Sequence, residues 1–407
     1  MRQQLAQKDD IFSIYLFAFL IPLNPKWYGV GLILIALESI LKRKFITAIP
    51  WRRAYHMRNP LVWLICFYLL HIVGLWNSEN MSFAWLDIGM KIPLLLIPLY
   101  FLHFKLNLKP SKVWAFFVYG CLLSLLIYGT SSFIQFIQTG KLNTGVYFSY
   151  WMHRGYYATY LVVACTYLFI EILRNKRRVL IRTLVLLVFI AGIFFTEAKL
   201  GLLTLFINVF ILALHAAKQK FGWLKFGLSL VLIALVSIFV VSKVLDGHNR
   251  FSGAAYHLQN QKNLDITSIE STTARLLLWE TSLELINQKP LIGYGTGDIK
   301  DVLQARNYAK GYSGVAEAKY NAHNQFLNSW IALGVLGASS LFALFIAIFS
   351  MQTTVNSIFV KLSSVAFLLM FMTESFLETQ AGIIPFAFIV SLFSSYSKFN
   401  SDNMEVS

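Results

Sequence analysis

The sequence predicts an all-α polytopic membrane protein with about twelve transmembrane helices and one large extracytoplasmic loop that contains helices. Three observations support this fold class. Of the 407 residues, 57% are hydrophobic and only 13% are charged, whereas soluble domains carry about 25% charged residues. Long apolar runs recur from one end of the chain to the other. The short connections between these runs are alternately rich and poor in Lys and Arg.

The apolar runs define the predicted transmembrane helices. A helix needs about 20 mostly apolar residues to cross the hydrocarbon core of a bilayer. Twelve segments meet or approach this length, near residues 11–23, 27–41, 60–76, 86–104, 113–138, 155–173, 179–196, 200–216, 223–242, 324–350, 356–374 and 380–397. The first two are short and are joined by Asn24-Pro25-Lys26, which predicts a tight helical hairpin. All three cysteines lie inside apolar runs and are interpreted as small core residues: Cys66, Cys121 and Cys165.

The basic residues predict the orientation of the chain, because cytoplasmic loops collect Lys and Arg. The second, fourth, sixth and eighth connections are basic, with Lys42, Arg43, Lys44, Arg52, Arg53, Arg58, Lys105, Lys109, Lys112, Arg174, Lys176, Arg177, Arg178, Arg182, Lys218, Lys220 and Lys225. The odd connections hold only Lys26, Lys91, Lys141, Arg154 and Lys199. Both termini are therefore expected in the cytoplasm. The net charge of +16 is interpreted as a topology signal, and no nucleic-acid partner is expected.

Four regions follow from this topology. Residues 1–242 are expected to hold transmembrane helices one to nine, and residues 323–397 to hold helices ten to twelve, followed by a cytoplasmic tail at 398–407. Between them, residues 243–322 form the large outer loop. The residues Ser271-Thr272-Thr273 precede an apolar pattern that predicts a capped, amphipathic helix over 272–288. The helix is expected to end there because Pro290 cannot continue it.

Four basic groups lie apart from the topology-setting charges, at the predicted outer boundary of the membrane: Arg154, Lys199, Arg275 and His323. Clustered cations repel one another unless an anion neutralises them, and a phosphate or diphosphate suits arginine and lysine. His323 is expected in the first turn of the tenth helix, where free N–H groups add to the anion site. The helix dipole there would favour a neutral imidazole, which can act as a general base.

Each of these residues also has a simpler interpretation. Arg154 could extend to lipid headgroups, Lys199 could pair with Glu197, and Arg275 could pair with Glu280 on an exposed helix. His323 could be a capping or interfacial residue. The acidic residues Glu374 and Glu378 are expected to end helices or to pair with the cations. No Asp-X-Asp pair lies on the outer side and no His/Cys ligand spacing is present, so a metal-independent reaction without a cofactor is expected.

Four motifs resemble the O-antigen ligase and polymerase family of bacterial envelope glycan enzymes. In chain order, they are Arg275-Leu276-Leu277-Leu278-Trp279, Pro290-Leu291-Ile292-Gly293-Tyr294-Gly295, His323-Asn324-Gln325-Phe326-Leu327 and Leu333-Gly334-Val335-Leu336-Gly337. The large outer loop between the ninth and tenth helices is also similar to the family. One position departs from the family pattern. Members often carry Ser-Arg-Gly after helix seven, whereas this chain has Ala198-Lys199-Leu200-Gly201, which keeps the charge but loses the planar fork of arginine.

The resemblance implies a glycosyltransferase of the bacterial inner membrane with its active site facing the periplasm. Its donor would be a polyprenyl-diphosphate-linked glycan, and its acceptor lipid A–core or another lipid-linked glycan. The family positions match Arg154, Arg275 and His323. Arg154, Arg275 and Lys199 would bind diphosphate, with His323 and Arg275 catalytic, and the residues suggested to contact sugar or lipid are Tyr156, Tyr157, Trp279 and Asn324.

The motifs favour a ligase, with a polymerase or a protein O-oligosaccharyltransferase as alternative enzymes. A transporter or flippase of lipid-linked sugars is the alternative from another class of protein. Transport sites lie near the bilayer midplane on broken or charged helices. The predicted helix centres are almost free of charge, which argues against transport.

Overall fold

A computed structural model of the protein describes residues 11–42, 56–104, 106, 108–218, 265–267, 269, 271–353 and 357–396. Within these residues the regular structure is helical, and no β-strand is present among them. The α-helices are α1 Phe12–Leu20, α2 Tyr28–Leu41, α3 Pro60–Val73, α4 Met81–Lys91, α5 Pro93–His103, α6 Pro110–Thr139, α7 Arg154–Arg174, α8 Val179–Phe195, α9 Lys199–Lys218, α10 Ser271–Gln288, α11 Ile299–Ala309, α12 Ser313–Glu317, α13 Gln325–Ser350, α14 Ser357–Thr373 and α15 Gln380–Ser395.

Five helical segments of the described chain are long and apolar enough to cross a membrane: Pro60–Asn77, Met81–His103, Pro110–Thr139, Arg154–Arg174 and Gln325–Ser350. Shorter apolar helices occupy Val179–Phe195, Lys199–His215, Ser357–Thr373 and Gln380–Ser395. The fold is thus that of a polytopic membrane protein. The number of twelve spans stays a prediction, and the predicted segment 223–242 lies outside the described residues.

The first two helices form an antiparallel hairpin. The short 3-10 helix Pro25–Trp27 joins α1 to α2, and the Asn24 side chain caps it by accepting a hydrogen bond from the Lys26 amide. At the other end of the hairpin, the Glu38 carboxylate accepts hydrogen bonds from the amides of Phe12 (2.9 Å) and Ser13 (2.6 Å). A carboxylate at this position satisfies N–H groups that the first turn of α1 leaves without a helical partner.

Helix α7 lies at the centre of the helix packing. Its side chains are buried along most of its length, and it packs against α6, α8, α9 and α14. The predicted segment 86–104 is instead two helices, α4 and α5, which meet at Ile92. Proline is well tolerated at the first position of a helix because its missing N–H is not needed there, and α5 accordingly begins at Pro93.

A break in α13 attaches the glycine turn at 290–295 to the membrane helices. Gly334 has a left-handed φ of +63°, which releases backbone groups from the helical pattern. The carbonyls of Ile331 and Ala332 accept hydrogen bonds from the Tyr294 amide (2.8 Å) and the Gly295 amide (2.9 Å). In turn, the Val335 amide donates to the carbonyl of Pro290 over 2.9 Å.

These bonds give two of the sequence motifs a structural purpose. A Cβ atom on Gly334 would lie 2.0 Å from the Leu291 carbonyl oxygen, and one on Gly293 would lie 2.6 Å from the carbonyl group of Ala332. Only glycine permits this approach. The glycine turn therefore docks into the break in α13, and the backbone groups released there are satisfied as a membrane environment requires.

Candidate active site

The ends of four helices meet at one place. Arg154 begins α7, Arg275 is the fifth residue of α10, His323 precedes α13, and Glu374 directly follows α14. A Cβ atom on Gly155 would lie 2.8 Å from the terminal methyl carbon of Met370, so the first turn of α7 contacts the last turn of α14. Tertiary packing thus brings together residues that are distant in sequence.

Glu374 is the centre of this cluster. One carboxylate oxygen accepts a hydrogen bond from an Nη2–H of Arg275, and the other lies 2.8 Å from Nδ1 of His323. Arg275 also donates through Nε to the carbonyl of Thr373, over 2.8 Å. The side chains of Arg275, His323 and Glu374 are 24%, 25% and 11% exposed. The expectation that Glu374 pairs with the cations agrees with this geometry, whereas Glu280 pairs with Lys310 rather than Arg275.

The charge of Glu374 determines the tautomer of His323. Burial alone would raise the pKa of the Glu374 carboxyl, but the hydrogen bond from His323 and the positive potential of His323, Arg275 and His153 outweigh it and lower the pKa. An ionised carboxylate can only accept hydrogen bonds. Nδ1 of His323 therefore carries a proton, and in the neutral ring Nε2 presents its lone pair. This arrangement orients an imidazole to act as a base.

The structure corrects the expected position of His323. Helix α13 begins at Gln325, so His323 lies outside its first turn, with a left-handed φ of +44°. The Asn324 side chain caps the helix by accepting from the amides of Phe326 (2.9 Å) and Leu327 (3.1 Å). These two N–H groups are therefore already bonded to Asn324. The sequence analysis had expected them to be free to bind an anion. A left-handed non-glycine residue is costly and is often found at functional sites.

His153 is a site residue that the sequence analysis did not single out. It is the N-cap of α7, and its Nδ1 accepts a hydrogen bond from the Gly155 amide over 3.3 Å. Burial lowers its pKa, and Arg154, His323 and Arg275 lower it further against the opposing effect of Glu374. His153 therefore responds to the same charges as Glu374. Its position directly before Arg154 was the signal in the sequence.

Arg154 and Lys199 begin two neighbouring helices. A Cβ atom on Gly201 would lie 2.7 Å from Cβ of Ala158, so the first turns of α7 and α9 are packed together. Lys199 is exposed at the first position of α9. A Cβ atom on Gly145 would lie 3.0 Å from a Glu197 carboxylate oxygen and 3.5 Å from Nη1 of Arg154. Among the described residues, no carboxylate lies within 4.0 Å of the Arg154 guanidinium.

The suggested substrate contacts have different surroundings. Trp279 is adjacent to His323 and donates through Nε1 to its carbonyl, over 3.4 Å. The Tyr156 ring packs edge-on against Phe376, with centroids 4.7 Å apart. Tyr157 is fully buried and its hydroxyl lies 2.8 Å from the Ser124 hydroxyl. Tyr157 thus contributes to helix packing and Asn324 to helix capping, which leaves Trp279 and Tyr156 as the suggested aromatic contacts that lie beside the cluster. The Tyr320 ring, which the sequence analysis did not single out, also packs edge-on against His323, with centroids 5.2 Å apart.

The structure also corrects the expected surroundings of Lys91 and Glu378. Lys91 was assigned to a short outer connection, but it is the last residue of α4 and is 0% exposed. It forms ion pairs with Asp87 of the same helix and with Glu378, whose carboxylate lies 3.1 Å from Nζ. Glu378 therefore pairs with this buried lysine. The expectation that the helix centres are almost free of charge therefore has an exception in α4, where Asp87 and Lys91 are buried.

Taken together, the fold and the cluster describe a polytopic membrane protein in which a histidine–carboxylate pair lies among arginines at the helix ends. Residues 184–342 match the family model described as O-Antigen ligase. The resemblance seen in the motifs is thereby confirmed for this segment, which is similar to the O-antigen ligase family and contains Arg275 and His323. The comparison with curated proteins gives no match. The family match supports a membrane glycosyltransferase of the ligase or polymerase type, with lipid-linked glycans as substrates.

Proposed function

We propose that this protein transfers a glycan from polyprenyl diphosphate to lipid A–core on the periplasmic side of the bacterial inner membrane. The observation that carries the proposal is the pairing of His323 with Glu374 beside Arg275, within a cluster that also includes Arg154. A base and a set of cations are the two components that this reaction needs. The donor must arrive already activated because nucleotide sugars are not available outside the membrane, and a lipid diphosphate is a suitable leaving group.

The proposed reaction is a single displacement. The acceptor hydroxyl oxygen attacks the anomeric carbon while the bond from that carbon to the diphosphate oxygen breaks, and the electron pair leaves with the polyprenyl diphosphate. Nε2 of His323 accepts the hydroxyl proton, and Glu374 stabilises the imidazolium that forms. Arg154, Arg275 and Lys199 stabilise the negative charge that develops on the diphosphate. Because one bond forms as the other breaks on the opposite face, the anomeric configuration is inverted.

The direct test uses purified protein, a lipid-linked glycan donor and lipid A–core. Wild-type protein should form glycan-capped core, and His323→Ala should reduce turnover by roughly 100-fold or more if His323 is the general base. Near-normal transfer by a well-expressed His323→Ala variant would remove the catalytic assignment. Elongation of the lipid-linked donor, in place of core capping, would identify a polymerase. Transfer of the glycan to a protein would identify an O-oligosaccharyltransferase.

The proposed reaction needs no divalent metal, because cationic side chains carry out the charge stabilisation. Transfer should therefore be the same after dialysis against EDTA as before it. Loss of activity with EDTA and its recovery with Mg²⁺ or Mn²⁺ would contradict this mechanism.

One observation favours the alternative of a lipid-linked sugar flippase. Ionisable residues inside membrane helices often mark transport pathways, and Asp87 and Lys91 are buried in a candidate membrane span. Proteoliposomes distinguish the two functions. A flippase moves the lipid-linked glycan between leaflets without acceptor and without forming a new glycosidic bond, whereas the proposed enzyme forms the bond even in detergent.

A further inference from the structure

A short segment between α14 and α15 connects Glu374 to two other parts of the protein. We call residues 374–378 the Glu374 turn; it contains the 3-10 helix Phe376–Glu378. Its first residue is Glu374, whose carboxylate is hydrogen-bonded to His323 and Arg275. Its last residue is Glu378, which lies in a buried charge cluster. The orientation of Glu374 therefore depends on how this turn is attached.

The first attachment is to α4. Nζ of Lys91 lies 3.1 Å from the Glu378 carboxylate and also bonds Asp87. Lys91 and Asp87 are 0% exposed, and the nearby His71 of α3 places Nδ1 3.5 Å from the Asp87 carboxylate. Replacing a buried ion pair with apolar residues is often neutral or stabilising. A gain in stability therefore does not by itself explain why a protein contains a buried ion pair. Its best-attested use is to specify the register of packed elements.

The second attachment is to α13. The side chain of Gln325 is fully buried, and its Oε1 accepts a hydrogen bond from the Leu377 amide over 2.7 Å. Its Nε2 donates to the hydroxyl of Ser329 over 3.1 Å, which holds the amide in this orientation. Gln325 is only two residues after His323. This bond therefore sets the position of the Glu374 turn relative to the segment that carries the imidazole.

We propose that Glu378, held by Lys91, and Gln325 are positioning residues that align Glu374 with His323. The expected effects on turnover rest on the proposed function, whereas the alignment of Glu374 with His323 does not. It also assigns a role to α4, which lies outside the matched segment 184–342. A base must be held in place to within about 0.5 Å by surrounding contacts, and a misplacement of about 1 Å can cost up to about 100-fold in rate.

The principal variant is Glu378→Met, which removes the link from α4 to the turn but leaves the Lys91–Asp87 ion pair intact. Turnover should fall about 10- to 100-fold with little change in KM for the donor, as expected when only alignment is lost. Glu378→Gln keeps an oxygen that accepts from Lys91 and should recover most of the turnover. Glu284→Met is the matched control, because Glu284 also pairs with two basic residues but does so on α10, with Arg306 and Lys310. It should keep wild-type turnover.

A double-mutant cycle separates positioning from a general structural effect. If Glu378 acts through Glu374, adding Glu378→Met to Glu374→Gln should cause no further loss of turnover. The proposal would be overturned if the double variant showed the product of the two single-variant losses of turnover. It would also be overturned if Glu378→Met were as active as Glu284→Met. Gln325→Met breaks the second attachment and should behave in the same way, so the proposal stays testable if Glu378→Met folds poorly.

A chemical probe tests the alignment without any glycan transfer. Diethyl pyrocarbonate acylates the unprotonated imidazole nitrogen, and a carboxylate that accepts from Nδ1–H makes Nε2 more nucleophilic. Peptide mass spectrometry distinguishes modification of His323 from that of His153. The rate at His323 should fall severalfold in Glu374→Gln and in Glu378→Met but not in Glu284→Met. An unchanged rate in Glu378→Met would refute the positioning role, whereas absence of transfer by the wild-type protein would contradict only the proposed function.

Discussion

At the scale of single residues, the site is a set of charges balanced around Glu374. Arg275 and His323 share its two carboxylate oxygens, and the Thr373 carbonyl accepts the remaining Nε–H of Arg275. The guanidinium is thus oriented by two acceptors on consecutive residues, which requires a planar group with donors at fixed angles. Charge alone does not explain why position 275 is an arginine.

This geometry predicts that Arg275→Lys loses most transfer activity although the charge is unchanged. A lysine has no planar fork, so it cannot bond Glu374 and the Thr373 carbonyl together while it faces a diphosphate. Arg306→Lys is the control, because Arg306 forms a similar forked pair with Glu284 over 2.9 and 2.8 Å, on the loop helices. The control should change stability by no more than about 0.5 kcal/mol and keep normal activity. Equal activity of the two variants would contradict the assignment of Arg275.

The lowered pKa of Glu374 predicts a pH-dependent contribution to stability. A carboxyl whose pKa is depressed in the folded protein stabilises it above the unfolded-state pKa, about 4.3 for glutamate. That contribution is lost as pH falls through the folded-state value. Glu374→Gln should therefore lower Tm at pH 7, and the difference from wild type should shrink as pH falls below about 4.

Thermal melts in detergent across this pH range check the prediction. Glu317→Gln, at an exposed position of α12, should reproduce the wild-type profile. A constant Tm difference between Glu374→Gln and wild type at all pH values would show that the ionised carboxylate is not the source of the stability.

At the scale of helices and turns, the break in α13 links the loop segment to the membrane helices. The glycine turn at 290–295 supplies two amides and one carbonyl to the break. Helix α10 begins at Ser271 and ends two residues before this turn. One face of α10 is buried, with Ala274, Leu277 and Leu278 packed against Val315 of α12. Docking of the turn and burial of this face together hold Arg275 near His323.

Gly334→Ala tests the break. Position 334 has a φ of +63° and no room for a Cβ atom, so the variant should be destabilised by more than about 1 kcal/mol, with a clear drop in Tm. Gly129→Ala is the matched control, because no atom lies within 4 Å of a Cβ at that position in α6. The control should be neutral or slightly stabilised. A Gly334→Ala variant as stable as the control would show that α13 can straighten without cost.

At the scale of the whole molecule, the loop segment and the helix ends of the cluster must lie on one side of the membrane. Arg275 of α10 contacts Glu374 after α14, and Trp279 contacts His323 before α13. The alternating basic connections predict that this side is the periplasm. The large loop, 243–322, would then be outside and both termini inside.

Cysteine labelling tests this orientation. A Glu317→Cys variant places a thiol at an exposed position of α12. A membrane-impermeant maleimide should label it in intact spheroplasts, whereas the parent chain, with Cys121 and Cys165 buried and Cys66 partly buried, reports the background. Labelling of position 317 only after permeabilisation would reverse the topology and would place the candidate site in the cytoplasm.

The features that depend on local composition can be derived from the amino-acid sequence. Helix positions follow from apolar runs, since a run of that length is buried in lipid whatever its neighbours are, and α7 and α13 begin within one residue of the predicted starts. The four motifs predicted the resemblance to the family whose model matches residues 184–342. They marked Arg275 and His323 because glycine, proline and paired polar residues stand out in an apolar chain. The alternation of basic loops likewise predicted an orientation, because it depends only on which connections carry Lys and Arg.

Which of these residues contact one another depends on the packing of the helices. Glu374 could have paired with any outer cation, and its choice of Arg275 and His323 depends on how α10, α13 and α14 pack. Lys91 looked like a loop residue, and its burial against Glu378 depends on the register of α4 with a turn 287 positions away. The capping of α13 by Asn324 and the left-handed backbone of His323 likewise depend on the loop docked beside them. Such pairings are set by the packing of distant helices, and composition and periodicity carry no information about them.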